Sequence, residues 1–109
     1  MPECPIETET GTVVADVAWA SPKKVKRNFD LPSWIESPEI VTEVLSPVNS
    51  EVEIRTKREA VFKKGASEFW VCDRTGRIQF FGKNGQLTNS VLCPKFPNSV
   101  AKAFPGKQS

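Results

Sequence analysis

The chain has 109 residues, 39% of them apolar and 26% charged, with a formal net charge of +2. That is room for one globular domain and not two. It is also too little charge to establish a polyanion partner by itself. No apolar run approaches the roughly 18 residues of a membrane span, and no basic stretch followed by an apolar one marks a secretory signal at the N-terminus. There is no histidine, and the three cysteines, Cys4, Cys72 and Cys93, form no C-x-x-C pair. A structural zinc site is therefore not expected, and free thiols in a reducing cytoplasm are. Without histidine, any catalysis must run on carboxylates, lysines or a metal.

In chain order, residues 13–20 alternate loosely around Asp16 and read as a strand closed by Ser21 and Pro22. Residues 23–29 are basic and read as a short helical turn or loop. Residues 31–37 form a connection, and a second strand spans about 40–45. After a turn at 46–50, Ser50 and Glu53 form a capping box, opening a helix over about 51–64 that Gly65 stops. Residues 67–73 read as a third strand. A turn at 73–76 leads to a fourth at 77–81, and the Asn84–Gly85 turn signal precedes a short strand near 90–93. A partial helix is expected after Phe96. The order β-β-α-β-β-β predicts an α/β, mixed-sheet (α+β) fold of about five strands with one main helix across a face. It forms a single domain over residues 1–109, with its core at about 12–104 and a loose tail at 105–109.

The segment 38–47, P-E-I-V-T-E-V-L-S-P, sets Glu43 inside an apolar run. Burying even a neutral polar group without a partner costs roughly 2–7 kcal/mol, and a charge costs more. Two readings are open at that point. Glu43 either lies on the wet face of an edge strand, or it is buried because its charge has a use. Asp16, between Ala15 and Val17 on the first strand, is a second anomaly, since aspartate is depleted in strand interiors. On the helix, with Ile54 at the centre of the inward face, Val61 lies about 20° away, Arg58 about 40° and Lys57 about 60°. From that shoulder Lys57 either snorkels to water or turns its ammonium inward. The helix folds back over the second strand, which brings Lys57 to the sheet face where Glu43 can lie. Two carboxylates together suit a divalent cation through hard oxygen ligands.

Asp16, Glu43 and Lys57, on strand, strand and following helix, resemble the PD-(D/E)XK nuclease constellation. The chain more closely resembles the Uma-type family of candidate restriction endonucleases. The resemblance rests on A-D-V-A-W-A-S at 15–21, the 38–47 segment, K-R-E-A at 57–60 and G-A-S-E-F-W-V-C-D at 65–73. Gly76, Arg77, Phe80, Phe81, Phe96 and Pro97 continue it, so that it covers about residues 3–104. It implies a restriction-endonuclease-like core in which Asp16, Glu43 and the main-chain carbonyl of Val44 hold Mg2+, with Mn2+ as a substitute. The implied reaction is hydrolysis of DNA phosphodiester bonds, with Lys57 assisting.

The sequence departs from that pattern in three places. The lysine expected two positions after the glutamate is Leu45 here, and Lys57 would supply the amine instead. The aspartate expected after Pro38 is Glu39. The family's upstream helices and early acidic strand have no counterpart before the Asp16 strand, which leads to the expectation of an N-terminally shortened member. The alternative is therefore a catalytically inactive remnant of the fold acting as an interaction module. Trp19, Trp34 and Trp70 read as core, and any left exposed on a shortened sheet would call for a partner or a homodimer. Lys23, Lys24, Lys26 and Arg27, with Lys63 and Lys64, are either phosphate contacts or solubilising charge. Asp73 reads as a turn cap, and Glu68 as either a residue at the rim of the site or an exposed strand residue.

Overall fold

The six strands of the sheet follow one another in space as they do along the chain: β1 (Pro2–Thr8), β2 (Gly11–Trp19), β3 (Ile40–Val44), β4 (Glu68–Cys72), β5 (Ile78–Gly82) and β6 (Gly85–Leu87). Every neighbouring pair is antiparallel except β3 and β4, which run parallel. A parallel pair needs a crossover, and here it is α2 (Glu51–Lys63), while the short α1 (Pro22–Asn28) links β2 to β3. The structure is a computed structural model and describes residues 2–99. The expected helix after Phe96 lies in part, and the tail at 105–109 wholly, outside those residues.

Local chemistry explains the element boundaries. Ser50 caps α2, its hydroxyl accepting the Glu53 amide at 3.1 Å, with Glu51 and Glu53 in the first turn where the helix dipole favours negative charge. Gly65 ends it at φ +105°, a conformation that side chains rarely adopt. Ser21 caps α1 ahead of Pro22, whose missing amide is harmless at a first helical position. Asp73 is the expected turn cap: its Oδ1 accepts the amides of Thr75 and Arg77 at 2.9 and 3.0 Å.

Both helices cover the same face of the sheet. There Ala15, Ala18, Val41, Phe69 and Val71 bury against Val61, with Val25, Ile54 and Phe62 packed around them. On the other face Ile40, Trp70, Ile78 and Phe80 form a second cluster, with Cys72, Leu87 and Cys93 against it. Trp70 meets Phe80 edge-on at 5.1 Å between ring centres, and Phe96 at 4.7 Å. Trp34 and Trp70 are core, as expected, but Trp19 is 50% exposed. It sits opposite Ile40, at the end of the second face.

Three sequence expectations are corrected. Pro2–Thr8 is a strand, held along its outer side by an exchange in which Glu7 donates to the Trp34 carbonyl and Trp34 to that of Pro5. Residues 90–93 are irregular, and the strand after the Asn84–Gly85 turn is β6 at once. Glu68 is 2% exposed instead of lying on the surface. Its carboxylate accepts Trp70 Nε1 at 2.8 Å, Ser90 Oγ at 2.6 Å, and the Val91 and Leu92 amides at 2.8 Å each. The three donors from Ser90, Val91 and Leu92 pin the 90–92 segment over the second cluster, and they explain why an apolar run there does not extend as a strand. Burial pushes the Glu68 carboxyl up, but the hydrogen bonds outweigh it and hold the group below the usual carboxylate range.

Candidate active site

The ladder between β2 and β3 is short. Val17, Ala18 and Trp19 pair with Thr42, Val41 and Ile40, and the pairing stops there. One step further, Asp16 and Glu43 would face each other, and instead their side chains take over from the backbone. The Asp16 amide donates to Glu43 Oε2 at 3.2 Å, and the Val44 amide donates to Asp16 Oδ2 at 2.9 Å. The alternation of β2 breaks at the same point. Ala15 and Ala18, three residues apart, both enter the helix-side core, while Asp16 and Val17 between them are exposed. Residues on one face of a strand normally lie an even number apart, so the buried face of β2 changes between Ala15 and Ala18, although its register with β1 runs unbroken through this stretch. The fork thus turns both acidic residues to one place.

Lys57 completes the group from α2. Its Nζ donates to Glu43 Oε1 at 2.7 Å and to the Val14 carbonyl at 2.6 Å. The ammonium therefore turns inward rather than snorkelling, from the helix shoulder that the 3.6-residue period gives it. The Glu43 side chain is 6% exposed and that of Lys57 22%. Burial pushes the Glu43 carboxyl above the usual range; the Lys57 ammonium and the Asp16 amide pull it back only in part, and the neighbouring Asp16 charge adds to the rise. Leu45 packs against the core, so no amine reaches the site from β3.

The donor set can be compared with what a divalent cation needs. Among the described residues no cluster of three or more Cys, Asp or Glu side chains is disposed to hold a metal. Magnesium commonly takes one or two protein carboxylates and fills its shell with water and substrate phosphate. Asp16 Oδ1 accepts no hydrogen bond from the described residues, and each Glu43 oxygen accepts one where it has capacity for two. The pair fits that lean ligation. Glu39 stands elsewhere, accepting the Ser21 amide at 2.9 Å.

The other basic residues are more dispersed. Lys24 Nζ is tied to the Ser37 and Gly65 carbonyls at 2.7 and 3.1 Å, Arg27 forks onto Glu36 at 2.7 and 2.9 Å, and Lys63 lies 3.7 Å from Glu9. Lys23 and Lys26 remain exposed. Sequence reasoning gave Arg58 no role, although it lies on the inward side of α2. Its guanidinium carbon sits 4.4 Å from the centre of the Phe81 ring.

No family model matches this chain, and no curated relative does. Among solved structures, it is similar to the crystal structure of a "putative nuclease belonging to DUF820" from Anabaena variabilis ATCC 29413. The TM-score is 0.65 at 15% sequence identity, over 89% of this chain and 50% of that one. At that identity the likeness is one of fold, and this chain spans half the length of the solved one. The chain shares the fold of that structure; the Uma-type resemblance rests on the sequence motifs alone.

Proposed function

We propose that the chain is a metal-dependent nuclease acting on DNA phosphodiester bonds, with Asp16 and Glu43 as ligands of Mg2+ and Lys57 as the assisting cation. The observation that carries this reading is the fork itself. Two carboxylates replace the backbone ladder where β2 and β3 part, and a lysine ammonium is held 2.7 Å from one of them. A structural ion pair needs one acid, not two, and needs no break in the sheet. The Anabaena structure, described as that of a "putative nuclease", shares the fold and supports the same class.

Magnesium, when bound, lowers the pKa of a water and neutralises charge building on the phosphate. The chain's own residues supply the rest. Asp16 offers an unencumbered Oδ1, and the Val44 amide on its other oxygen fixes the carboxylate's orientation. The proposed third oxygen, the Val44 carbonyl, belongs to the same residue. Lys57 has three N–H donors and uses two, on Glu43 and Val14, leaving one for a substrate oxygen. It thereby orients the attacking water or stabilises charge on the phosphate as a point cation.

A second reading, an interaction module without turnover, is favoured by the exposed apolar residues Val17, Trp19 and Val44 on the sheet face away from α2. Trp19 and Val44 are each 50% exposed, and such a patch suits a partner or a second copy. Calorimetric titration of Mg2+ and Mn2+ into the protein and into Glu43→Gln separates the two. Binding that disappears in Glu43→Gln, with plasmid or single-strand cleavage lost in the same variant, supports the nuclease. No binding at millimolar metal sinks it.

A further inference from the structure

The sheet face that carries Glu43 continues sideways into a second hollow. Glu43 pairs with Val71, and Val71 with Gln79, so the three stand in line across β3, β4 and β5. Directly paired residues share a face, and at about 4.8 Å per strand Gln79 lies roughly 10 Å from Glu43. The hollow has a volume of about 350 Å3, and its lining includes Gln79 and Phe81 of β5, Arg55 and Arg58 of α2, and Asn49. Asn49 and Ile54 also line the cleft that contains Glu43 and Lys57, so the two spaces share a wall.

Its charge is unbalanced. The ion pairs among the described residues are Arg27–Glu36, Lys57–Glu43 and Lys63–Glu9, and neither Arg55 nor Arg58 takes part in one. Glu51 is the one carboxylate in the lining, against two guanidinium groups. Arg58 is placed 4.4 Å above the Phe81 ring by a cation–π contact. A guanidinium held on an aromatic ring has lost much of its rotamer freedom before any ligand arrives, and its forked N–H donors match a phosphate. The amides of Gln79 and Asn49 add uncharged donors beside it.

We propose that this hollow seats a phosphate of the nucleic-acid strand adjacent to the one being hydrolysed, with Arg58 as its forked donor and Arg55, Gln79 and Asn49 around it. The identity of the ligand rests on the nuclease reading; the anion site itself does not. Apart from that ligand, Arg58 would only cover the Phe81 ring with its stem, and binding would not notice its charge.

The test is fluorescence anisotropy with a short labelled oligodeoxythymidylate, in EDTA so that no cleavage occurs, over a series of salt concentrations. Arg58→Gln is expected to weaken binding about tenfold at low salt, the loss of one charged hydrogen-bonding partner. It should also shallow the salt slope by about 0.7, one single-strand phosphate contact. Arg58→Lys keeps the slope but loses affinity a few-fold, because it keeps the charge without the fork. Thermal melts of each variant verify the fold. Wild-type affinity and slope in both Arg58→Gln and Arg55→Gln would overturn the proposal, as would failure of the native chain to bind. Cleavage by the native chain separates the two readings. If the native chain binds in EDTA with the Arg58 dependence above and yet shows no metal-dependent cleavage, the nuclease reading fails and the site stands. If cleavage is present and indifferent to Arg58, the site fails and the nuclease stands.

Discussion

Replacing Lys57 with methionine isolates what the ammonium does for Glu43, because methionine keeps an unbranched stem of similar length against the core. In metal-free protein the variant leaves a carboxylate with a 6% exposed side chain and the Asp16 amide at 3.2 Å as its remaining partner. Breaking a buried ion pair from one side costs about 3–5 kcal/mol. Partial exposure of Lys57, 22%, means part of that attraction was already screened, so about 2–3 kcal/mol is the expected loss near pH 8. For a domain of this size that is a fall of roughly 8–12 °C in Tm.

The pH dependence is the sharper part. Burial already places the folded Glu43 pKa above its ordinary 4.5. A carboxyl raised on folding takes up a proton between its unfolded and folded values. The stability linked to that uptake is complete below about 4.5 and is lost as pH rises through the folded value. Removing Lys57 pushes the folded value further up and widens the window of loss. The destabilisation should therefore be small near pH 4, where Glu43 is protonated in both proteins, and grow toward pH 8. Urea unfolding at a series of pH values in EDTA measures it. The double variant Glu43→Gln with Lys57→Met should be less destabilised at pH 8 than Lys57→Met alone. Equal losses at pH 4 and pH 8 would refute the argument, because the cost would then come from packing rather than from a stranded charge.

Glu68→Gln removes the charge that four donors share, and is expected to cost about 2–3 kcal/mol in urea unfolding followed by tryptophan fluorescence. Because the Glu68 pKa is lowered in the fold, its contribution is held above about pH 4.5 and lost as pH falls through the folded value, so the variant should show a flatter acid limb. Glu36 is drawn down to about 2 by the Arg27 fork, by the Asn28 amide and by nearby positive charge, against the effect of its partial burial. The Arg27 side chain is 55% exposed, so solvent screens the pair and Arg27→Met should lower stability only slightly. The cost should diminish as pH falls from about 4.5 toward 2 and with added salt; an undiminished loss at pH 2 would contradict the assignment. Gly65→Ala should cost about 1–2 kcal/mol in the same unfolding assay from backbone strain alone. A Cβ there would meet only Lys24 Nζ at an ordinary 3.5 Å.

The elements that the sequence made legible are those with strong local signals. The Ser50–Glu53 cap, the Gly65 stop and the turn cap at Asp73 each act within five residues, so α2 and the strands on either side of it could be read directly. β1 was missed because Pro2 and Pro5 argue against a strand, and the rule they violate applies to central strands: on an edge, one side of the backbone needs no ladder partner. The misplaced last strand has a long-range cause. Val91 and Leu92 look like a strand locally, but their amides are taken by Glu68, more than twenty residues earlier. Glu68 itself was legible in principle. It opens a run, E-F-W-V-C, on a strand that pairs in parallel with β3, and a strand between two partners with both faces covered buries everything on it. The reasoning that singled out Glu43 applied equally to Glu68.

The two buried glutamates differ in how fully their hydrogen-bonding capacity is met. Both are buried acids on neighbouring central strands. Glu68 meets four donors, with no other acid in its network, and those donors hold its pKa down; the result is a fully satisfied knot that anchors a loop. Glu43 meets one cation and one amide, stands beside a second carboxylate, and has its pKa raised. A fold selected only for stability would resolve Glu43 as it resolved Glu68, or replace the pair with apolar side chains, since buried ion pairs seldom surpass well-packed hydrophobic ones. The under-satisfied acid sits where the sheet parts and beside an aspartate with a free oxygen, which is the environment a cation would complete. Imperfect satisfaction, rather than burial, is what singles out the Asp16–Glu43 fork as the site proposed for chemistry.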